Sequence, residues 1–182
     1  MDIPNDDFNE NENTNFKQLY KYMPTSSFRM LICGNSDSGK TNLLYHILVK
    51  PLVYYDQIHL YGKNLELEKY RHTIETMNDI SGQVVYDIIH CNNDDVKSVN
   101  SLDSDSQKIV IFYDFICDKN QKPVIDYFIH GRHKNCSIIY LSQSFYKSPE
   151  DIRLNCSHCV IYDFPSSNER NMIFRELNVT KD

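Results

Sequence analysis

Eight residues between an apolar run and an amphipathic segment constrain the fold of this chain more than any other feature. They read GNSDSGKT, from Gly34 to Thr41, and they follow the apolar residues Phe28 to Ile32. The spacing fits the pattern G-x-x-x-x-G-K-[ST], in which a strand ends in a glycine-rich turn and a helix begins. Such a turn lets successive backbone N–H groups surround an anion at the positive end of the helix. The segment therefore predicts a phosphate-binding loop in a nucleotide-binding protein.

The residue types within the loop assign separate roles to its side chains. In this pattern the lysine, Lys40, contacts the β- and γ-phosphates, and the Thr41 hydroxyl binds Mg²⁺. Asp37 is unusual, because a carboxylate that faced the phosphates would repel them. Aspartate tolerates the left-handed backbone better than most residues, so we expect Asp37 to supply the turn while its side chain points to solvent. The predicted nucleotide contacts are Gly34, Asn35, Ser36, Asp37, Ser38, Gly39, Lys40, Thr41 and Asn42.

Apolar runs of strand length alternate with longer amphipathic segments along the chain. The predicted strands are Arg29 to Cys33, Gln57 to Tyr61, Val84 to His90, Lys108 to Tyr113, Ser137 to Ser142 and Cys159 to Tyr162. The predicted helices are Gly39 to Val49, Leu65 to Met77, Lys122 to His130, Pro149 to Asn155 and Ser167 to Leu177. Strands that are apolar on nearly every residue and separated by helices are typical of a mostly parallel sheet covered on both faces. The expected fold class is α/β.

The acidic residues are segregated into two polar segments. The chain carries a net charge of −6 at pH 7, and the excess of Asp and Glu lies in residues 1–13 and 92–106. These segments have little to bury, so residues 1–22 are predicted to be a disordered tail and residues 92–106 a mobile surface loop. The predicted core is residues 23–182. Outside the two acidic stretches, residues 14–91 and 107–182 together carry a net charge of +2, so the remainder is slightly basic, which permits a DNA partner.

Hydropathy and the positions of the cysteines predict the cellular compartment of the protein. No apolar stretch approaches the roughly 20 residues needed to span a bilayer, so we expect a soluble protein with no membrane partner. The six cysteines mostly lie in or beside apolar runs, which suits free thiols in a reducing, intracellular compartment.

Polar residues end two further predicted strands. Asp114 follows the run Lys108 to Tyr113, and Gln143 follows Ser137 to Ser142. Because a parallel sheet presents functional residues at the carboxyl ends of its strands, both should converge with Gly34 on one crevice. There Asp114 is expected to act at the metal or in catalysis, and Gln143 to sense the γ-phosphate or to orient the attacking water.

Four stretches of the chain resemble, in order and spacing, the DNA-packaging ATPases of poxvirus type. They read MPTSSFRMLICGNSDSGKTNLLYHIL, YDQIHLYGKNLELEKY, KIVIFYDF and IDYFIHGRHKNCSIIYLSQSFYKSPEDIRLNC. These ATPases belong to the FtsK and HerA group of P-loop motors, which have a RecA-like (ASCE) core. GRHKN followed by LSQS is more specific to them than the phosphate loop is.

The resemblance implies an activity, its cofactors and its partners. Such motors form homo-oligomeric rings, hydrolyse ATP with Mg²⁺ and thread double-stranded DNA into a capsid, with capsid or portal components as partners. Their setting is the host-cell cytoplasm, a viral factory or the virion. Carried over to this sequence, the resemblance implies catalytic roles for Lys40, Asp114 and Gln143 and a magnesium site at Thr41 and Asp114.

A basic cluster precedes the strand that ends at Gln143. It reads HGRHKN, from His130 to Asn135. Arg132 in this cluster is predicted to reach the γ-phosphate of a neighbouring subunit as an arginine finger or to contact DNA phosphate. Arg153 is a second candidate, and a solvated surface charge is the alternative for either residue.

Two features depart from the family pattern. The corresponding strand of the family usually ends in a carboxylate pair, whereas this chain has Tyr113 before Asp114, so Mg²⁺ would lose a ligand. The chain also ends at Asp182 without the additional C-terminal segment that the family leads us to expect, which predicts a truncated or decaying copy.

The loop and the resemblance together predict an ATP-driven packaging motor. The alternatives are a catalytically degenerate nucleotide-binding ring subunit and a small P-loop nucleotide or metabolite kinase.

Overall fold

Six strands and four α-helices make up the part of the chain that the computed structural model describes, which is residues 27–49, 55–62, 85–90, 96–113, 115, 120–162 and 167–178. The strands are β1 (Arg29–Cys33), β2 (Gln57–Gly62), β3 (Val85–His90), β4 (Lys108–Tyr113), β5 (Cys136–Ser142) and β6 (His158–Ile161). The helices are α1 (Lys40–Val49), α2 (Lys122–His130), α3 (Glu150–Asn155) and α4 (Ser167–Glu176). Short 3₁₀ helices cover Val99–Ser101 and Gly131–Lys134.

Each of these strands and α-helices agrees with its prediction to within one residue at either end. The agreement follows from the sequence, since apolar runs bounded by polar and turn-forming residues fix where a buried strand begins and ends. The predicted helix Leu65 to Met77 and the predicted tail, residues 1–22, lie outside the described residues. Within those residues, every helix is too short or too polar to cross a membrane.

The six strands form one parallel sheet in the order β3-β2-β4-β5-β1-β6. Strand β5 lies between β1 and β4, with Ser142 opposite Cys33 and Leu141 opposite Tyr113. The carboxyl ends of these three strands therefore lie side by side. This sheet confirms the predicted α/β architecture.

Both faces of the sheet are covered, and β4 illustrates how. Its residues Ile109 and Ile111 belong to one apolar cluster with side chains of α1. The alternating residues Val110 and Phe112 belong to a second cluster with side chains of α2, α3 and α4. Burial on both faces is the reason that the strand is apolar at successive positions. It also places α1, and the loop that leads into it, on the opposite face from the other three helices.

The expectation that residues 92–106 bury little is wrong for the part that is described, residues 96–106. Val99 and Leu102, three residues apart, are buried in the cluster that contains α2, and Val96 packs against the same cluster. The Lys108 side chain is fully buried, and its ammonium donates to Asp103 Oδ1 at 2.9 Å and to the carbonyl oxygens of Asp103 and Ser106. A buried ammonium needs such partners, so this lysine holds the segment against the end of β4. The mobility of the segment stays a prediction.

Candidate nucleotide-binding site

The phosphate-binding loop leaves the carboxyl end of β1 and continues directly into α1. The Gly34 N–H donates to the carbonyl oxygen of Ser142 at 3.2 Å, which ties the loop to the end of β5. The Ser38 N–H donates to the Asn35 carbonyl at 3.3 Å and closes the turn. The first N–H groups of a helix lack carbonyl partners within the helix, so those of α1 are suited to bind an anion at this position.

The two glycines of the loop are required for different reasons. Gly39 has φ of 101°, a backbone conformation that residues with a side chain rarely adopt. At Gly34 an added Cβ would lie 2.6 Å from Tyr162 Cβ and 2.7 Å from Ser38 Oγ, so only glycine lets these groups approach. Asp37 has φ of 59° and is exposed. The expectation that an aspartate supplies the left-handed turn is confirmed.

Lys40 is buried within the loop. Its ammonium donates to the carbonyl oxygens of Gly34 at 2.7 Å and of Asn35 at 2.6 Å. An ammonium has three N–H donors, so one is left for a further acceptor. The Ser38 hydroxyl is also buried, and among the described residues it has no hydrogen-bond partner. A loop that encloses a cation and an unpaired hydroxyl is suited to a polyanionic ligand.

Tyr162 holds the loop from the side of β6. Its N–H donates to the Cys33 carbonyl at 2.8 Å, and its hydroxyl donates to the Gly39 carbonyl at 3.1 Å. The ring lies alongside Gly39, since an added Cβ there would be 3.5 Å from Tyr162 Cε1. The loop is thus fixed on one side by β5 and on the other by the residue that follows β6.

Gln143 follows β5 directly and is exposed at the same edge of the sheet as the loop. Tyr113, the last residue of β4, is half-buried and packs against the apolar cluster on the α1 face. Because side chains alternate between the two faces of a sheet along a strand, Tyr113 lies on the face that packs against α1, the helix that begins with Lys40 and Thr41. Asp114 lies outside the described residues, so its role stays a prediction.

The turn that carries Gln143 is held by a network of serine hydroxyls. Ser148 Oγ lies 3.0 Å from Ser142 Oγ and 2.9 Å from the Ser144 carbonyl, and its single O–H donates to one of them; Ser142 Oγ also donates to the Ser144 carbonyl, at 2.8 Å. The Ser144 N–H donates to Ser142 Oγ at 3.2 Å. Ser142 and Ser148 are almost fully buried, as is the Phe145 ring between them. Buried hydroxyls that are paired with one another and with the backbone specify a single conformation of the turn.

Arg153 is not available as an arginine finger, which corrects the prediction for this residue. Its Nη1 donates to the Ser148 carbonyl at 2.6 Å, and its Nε donates to Glu176 Oε1 at 2.7 Å. The guanidinium also lies over the rings of Phe145 and Tyr146, 5.4 and 5.6 Å from their centroids. The side chain is only 13% exposed, so it is engaged within its own chain.

Arg132 is exposed and lies near the amino ends of the strands, whereas the loop lies at their carboxyl ends. It belongs to the 3₁₀ helix Gly131–Lys134, which precedes the amino end of β5. From Cys136 to Ser142 the strand rises about 20 Å at roughly 3.3 Å per residue. An arginine side chain cannot cross that distance, so Arg132 does not meet the loop of its own chain.

Burial also determines the chemistry of Cys33, which lies at the end of β1 beneath the loop. It raises the pKa of the thiol to about 12. Cys33 therefore stays protonated at neutral pH, and it supplies neither a nucleophile nor a metal ligand to the site.

The family of the chain follows from comparison with known proteins. The family described as Poxvirus A32 protein matches residues 14–182. The chain belongs to this family. The resemblance to poxvirus-type packaging ATPases that the sequence motifs carry is confirmed by the match.

Curated relatives of this A32-family chain include the DNA packaging proteins OPG160 of variola virus, vaccinia virus and monkeypox virus. The variola virus protein is 28% identical over 154 residues, which are 80% of this chain and 57% of the relative. The protein of vaccinia virus strain Copenhagen is 29% identical with the same coverage. The chain thus spans little more than half the length of these relatives.

The solved structures that share this fold include two viral genome-packaging enzymes. The genome packaging NTPase B204 from Sulfolobus turreted icosahedral virus 2, in complex with AMP, aligns with a TM-score of 0.57 at 17% identity over 82% of this chain and 81% of that one. The DNA-packaging ATPase B204 from Sulfolobus Turreted Icosahedral Virus aligns with a TM-score of 0.57 at 16% identity over 84% and 83%. These likenesses establish that the chain shares the fold of these P-loop packaging NTPases.

Several residues that shape the site in this A32-family chain were not found by sequence reasoning. Tyr162 was predicted only as the end of a strand, and nothing distinguishes it among 13 tyrosines. Ser142 and Ser144 belong to the LSQS motif, but no pattern assigned them, or Ser148, a role in holding the turn. Their roles depend on contacts between distant elements, which no local pattern records.

Proposed function

We propose that the chain is the ATP-hydrolysing core of a motor that moves double-stranded DNA into a viral capsid. The support is its membership of the A32 family, the name DNA packaging protein borne by its relatives, and the loop geometry described above. In this proposal Lys40 binds the β- and γ-phosphates, residues 34–42 enclose the nucleotide, and Gln143 senses the γ-phosphate or orients the attacking water. Capsid or portal components are the further partners.

The observation that carries the proposal is the position of the Lys40 ammonium. It lies within the loop, 2.6 Å from the Asn35 carbonyl, at the sheet edge where Gln143 also lies. A triphosphate bound by the loop amides would meet this cation and would extend toward the polar residue that ends β5. The geometry therefore favours hydrolysis of a nucleotide over simple phosphate binding.

Magnesium fits the donor set at this edge. Thr41 lies in the first turn of α1 beside Lys40, and its hydroxyl is a hard oxygen ligand of the kind that Mg²⁺ prefers. In the proposal Thr41 and Asp114 hold the ion, which neutralises the charge of the β- and γ-phosphates.

The position of Arg132 supports a homo-oligomeric ring as part of this proposal. Because this residue lies about 20 Å from the loop of its own chain, it can reach a γ-phosphate only in a second copy. In the proposed ring each Arg132 acts on the nucleotide of its neighbour. The alternative is that Arg132 contacts a DNA phosphate instead.

Turnover of ATP in the presence and absence of duplex DNA tests the proposal. We expect ATPase activity that duplex DNA stimulates, and a loss of about 100-fold or more in Lys40→Ala. DNA binding should weaken steeply with salt concentration, because it depends on phosphate contacts. Phosphoryl transfer to a small acceptor would instead favour a nucleotide or metabolite kinase, and a DNA affinity that does not change with salt would contradict the motor.

A mixture of two inactive variants tests the role of Arg132. Lys40→Ala lacks the loop cation and Arg132→Ala lacks the finger, but a mixed ring contains interfaces in which both groups are present. Random assembly of equal amounts restores both groups at about a quarter of the interfaces, so activity should return to that order. No recovery, together with loss of DNA affinity in Arg132→Ala, would assign the residue to DNA.

A second candidate function rests on Tyr113. This residue packs on the α1 face at the position where the family usually has the first carboxylate of its pair. A phenol is a poor magnesium ligand at neutral pH, and loss of one positioned charge commonly lowers the rate about 100-fold. The chain would then be a nucleotide-binding ring subunit with weak hydrolysis. If Tyr113→Asp gains ATPase activity that the parent lacks, this second function is the correct one.

A further inference from the structure

We propose that Arg153 is a positioning residue that fixes the turn carrying Gln143 in its productive conformation. This inference rests on the proposed function of Gln143. It assigns to Arg153 a role within its own chain in place of the contact with a neighbouring subunit that its sequence position suggested.

The contacts of Arg153 all converge on this turn or anchor the residue from behind. Nη1 donates to the Ser148 carbonyl, and the guanidinium lies over Phe145 and Tyr146, three residues that belong to the turn. Nε donates to Glu176 at the end of α4. One side chain of α3 therefore joins the turn after β5 to the last helix of the described chain.

The same turn is joined to the phosphate loop on its other side. The buried Ser148 hydroxyl lies within hydrogen-bond distance of Ser142 Oγ, and the Ser142 carbonyl accepts the Gly34 N–H. Gln143 lies between these contacts, directly after Ser142. The position of its amide relative to a γ-phosphate bound by the loop is thus set by a chain of bonds that runs from Glu176 through Arg153 and Ser148 to Gly34.

The geometry requires arginine and not any other cation. A planar guanidinium donates in two directions at once and stacks on aromatic rings, whereas a lysine ammonium is a compact charge that cannot do both. Arg153→Lys keeps the charge and much of the stem but gives up either the Ser148 or the Glu176 contact. It should therefore have an effect in the same direction as Arg153→Met, and a smaller one.

Steady-state kinetics of the full chain distinguish positioning from a general loss of structure. A misplacement of about 1 Å can lower a rate about 100-fold. We therefore expect Arg153→Met to lower kcat about 10- to 100-fold while the Kd for a non-hydrolysable ATP analogue stays within about twofold. Arg175→Met removes an exposed charge from the last turn of α4 and is the matched control, with parental kcat and Kd.

A double variant tests whether Arg153 acts through Gln143. Residues that act as a unit have non-additive effects. In the Gln143→Ala background, Arg153→Met should lower kcat no further. Losses that multiply would overturn the proposal, and so would an Arg153→Lys variant with parental kcat.

Amide hydrogen exchange of the turn keeps this inference separate from the proposed function. The N–H groups of Ser144, Lys147 and Ser148 are bonded within the turn, and they should exchange faster in Arg153→Met than in the parent or in Arg175→Met. If parent and variants have no ATPase activity, the proposed function fails while exchange still decides whether Arg153 fixes the turn. Unchanged exchange in both Arg153 variants would overturn the inference whatever the activity.

Discussion

Replacement of Gly39 by alanine tests whether the phosphate loop depends on a backbone conformation that only glycine adopts easily. The added methyl group has room, because the closest atom to it would be Tyr162 Cε1 at 3.5 Å, an ordinary van der Waals distance. The cost is therefore backbone strain alone. Holding a residue with a side chain at φ of 101° costs about 1 to 3 kcal/mol. Alanine recovers about 0.4 to 1 kcal/mol by restricting the unfolded chain.

The net destabilisation expected for Gly39→Ala is about 1.3 kcal/mol, the difference between the midpoints of these two ranges, or a fall in Tm of about 3 to 5 °C for a chain of this size. Urea denaturation measures it as a lower midpoint at an unchanged slope. Binding of an ATP analogue should weaken at least about tenfold, because relief of the strain rotates amides that face the phosphates.

Gly131→Ala is the control for Gly39→Ala. It adds the same methyl group at a φ of −57°, where no left-handed strain arises. Its Cβ would meet the end of the Ile138 side chain at 2.9 Å, and a flexible chain end can move aside. Nucleotide affinity should be unaffected. A Gly39→Ala protein with parental stability and parental nucleotide affinity would refute the claim that the loop needs this conformation.

Three further outcomes follow from individual contacts. Hydrogen bonds from Lys108 and Ser106 lower the pKa of the Asp103 carboxyl. The bond to Lys108 therefore stabilises the fold above the ordinary carboxyl pKa, and this stabilisation is lost as the pH falls through the lowered pKa. Asp103→Asn should lower the urea midpoint at pH 6, and the difference between this variant and the parent should shrink toward pH 3. Tyr162→Phe keeps the ring but removes its hydrogen bond to the Gly39 carbonyl, which still accepts the Leu43 N–H. The loss should lower the free energy of unfolding by about 0.5 to 1.5 kcal/mol. It should also weaken ATP binding a few-fold when ATP is titrated into the protein. The buried Cys33 thiol, with its pKa near 12, should resist iodoacetamide at pH 8 until urea unfolds the chain, as mass spectrometry would detect; rapid alkylation of the folded protein would contradict its burial.

The sequence predicted the sheet well because each strand is specified locally. Residues 109–112 of β4 are apolar at every position since both faces are covered, and polar or turn residues mark both ends of β1. The loop was equally predictable, because its two glycines and its lysine are required by backbone geometry and charge rather than by distant contacts. Even the left-handed turn at Asp37 follows from the residue type.

The parts of the site that were not predicted depend on contacts between residues far apart in the chain. The bond from Arg153 to Glu176 joins positions 23 residues apart, and the bond from Tyr162 to Gly39 joins positions 123 apart. Val99 and Leu102 were assigned to a polar loop because Asp, Ser and Asn dominate the segment, although these two residues and Val96 recur at every third position. Sequence patterns record which residues are buried within one element, but not which element buries a short segment.

The two edges of the sheet give the strongest reason to expect that one chain is not a complete catalytic unit. At the carboxyl ends of the strands lie the loop, Lys40 and Gln143, while Arg153 of α3 is engaged by Ser148 and Glu176. Arg132, the arginine that the family motif supplies, lies at the amino edge. If the γ-phosphate receives its arginine from a second copy, ATPase activity per subunit should rise with protein concentration and reach a plateau once rings are complete. Constant specific activity from nanomolar to micromolar protein, measured where sedimentation detects only monomers at the lower end, would exclude a site shared between subunits.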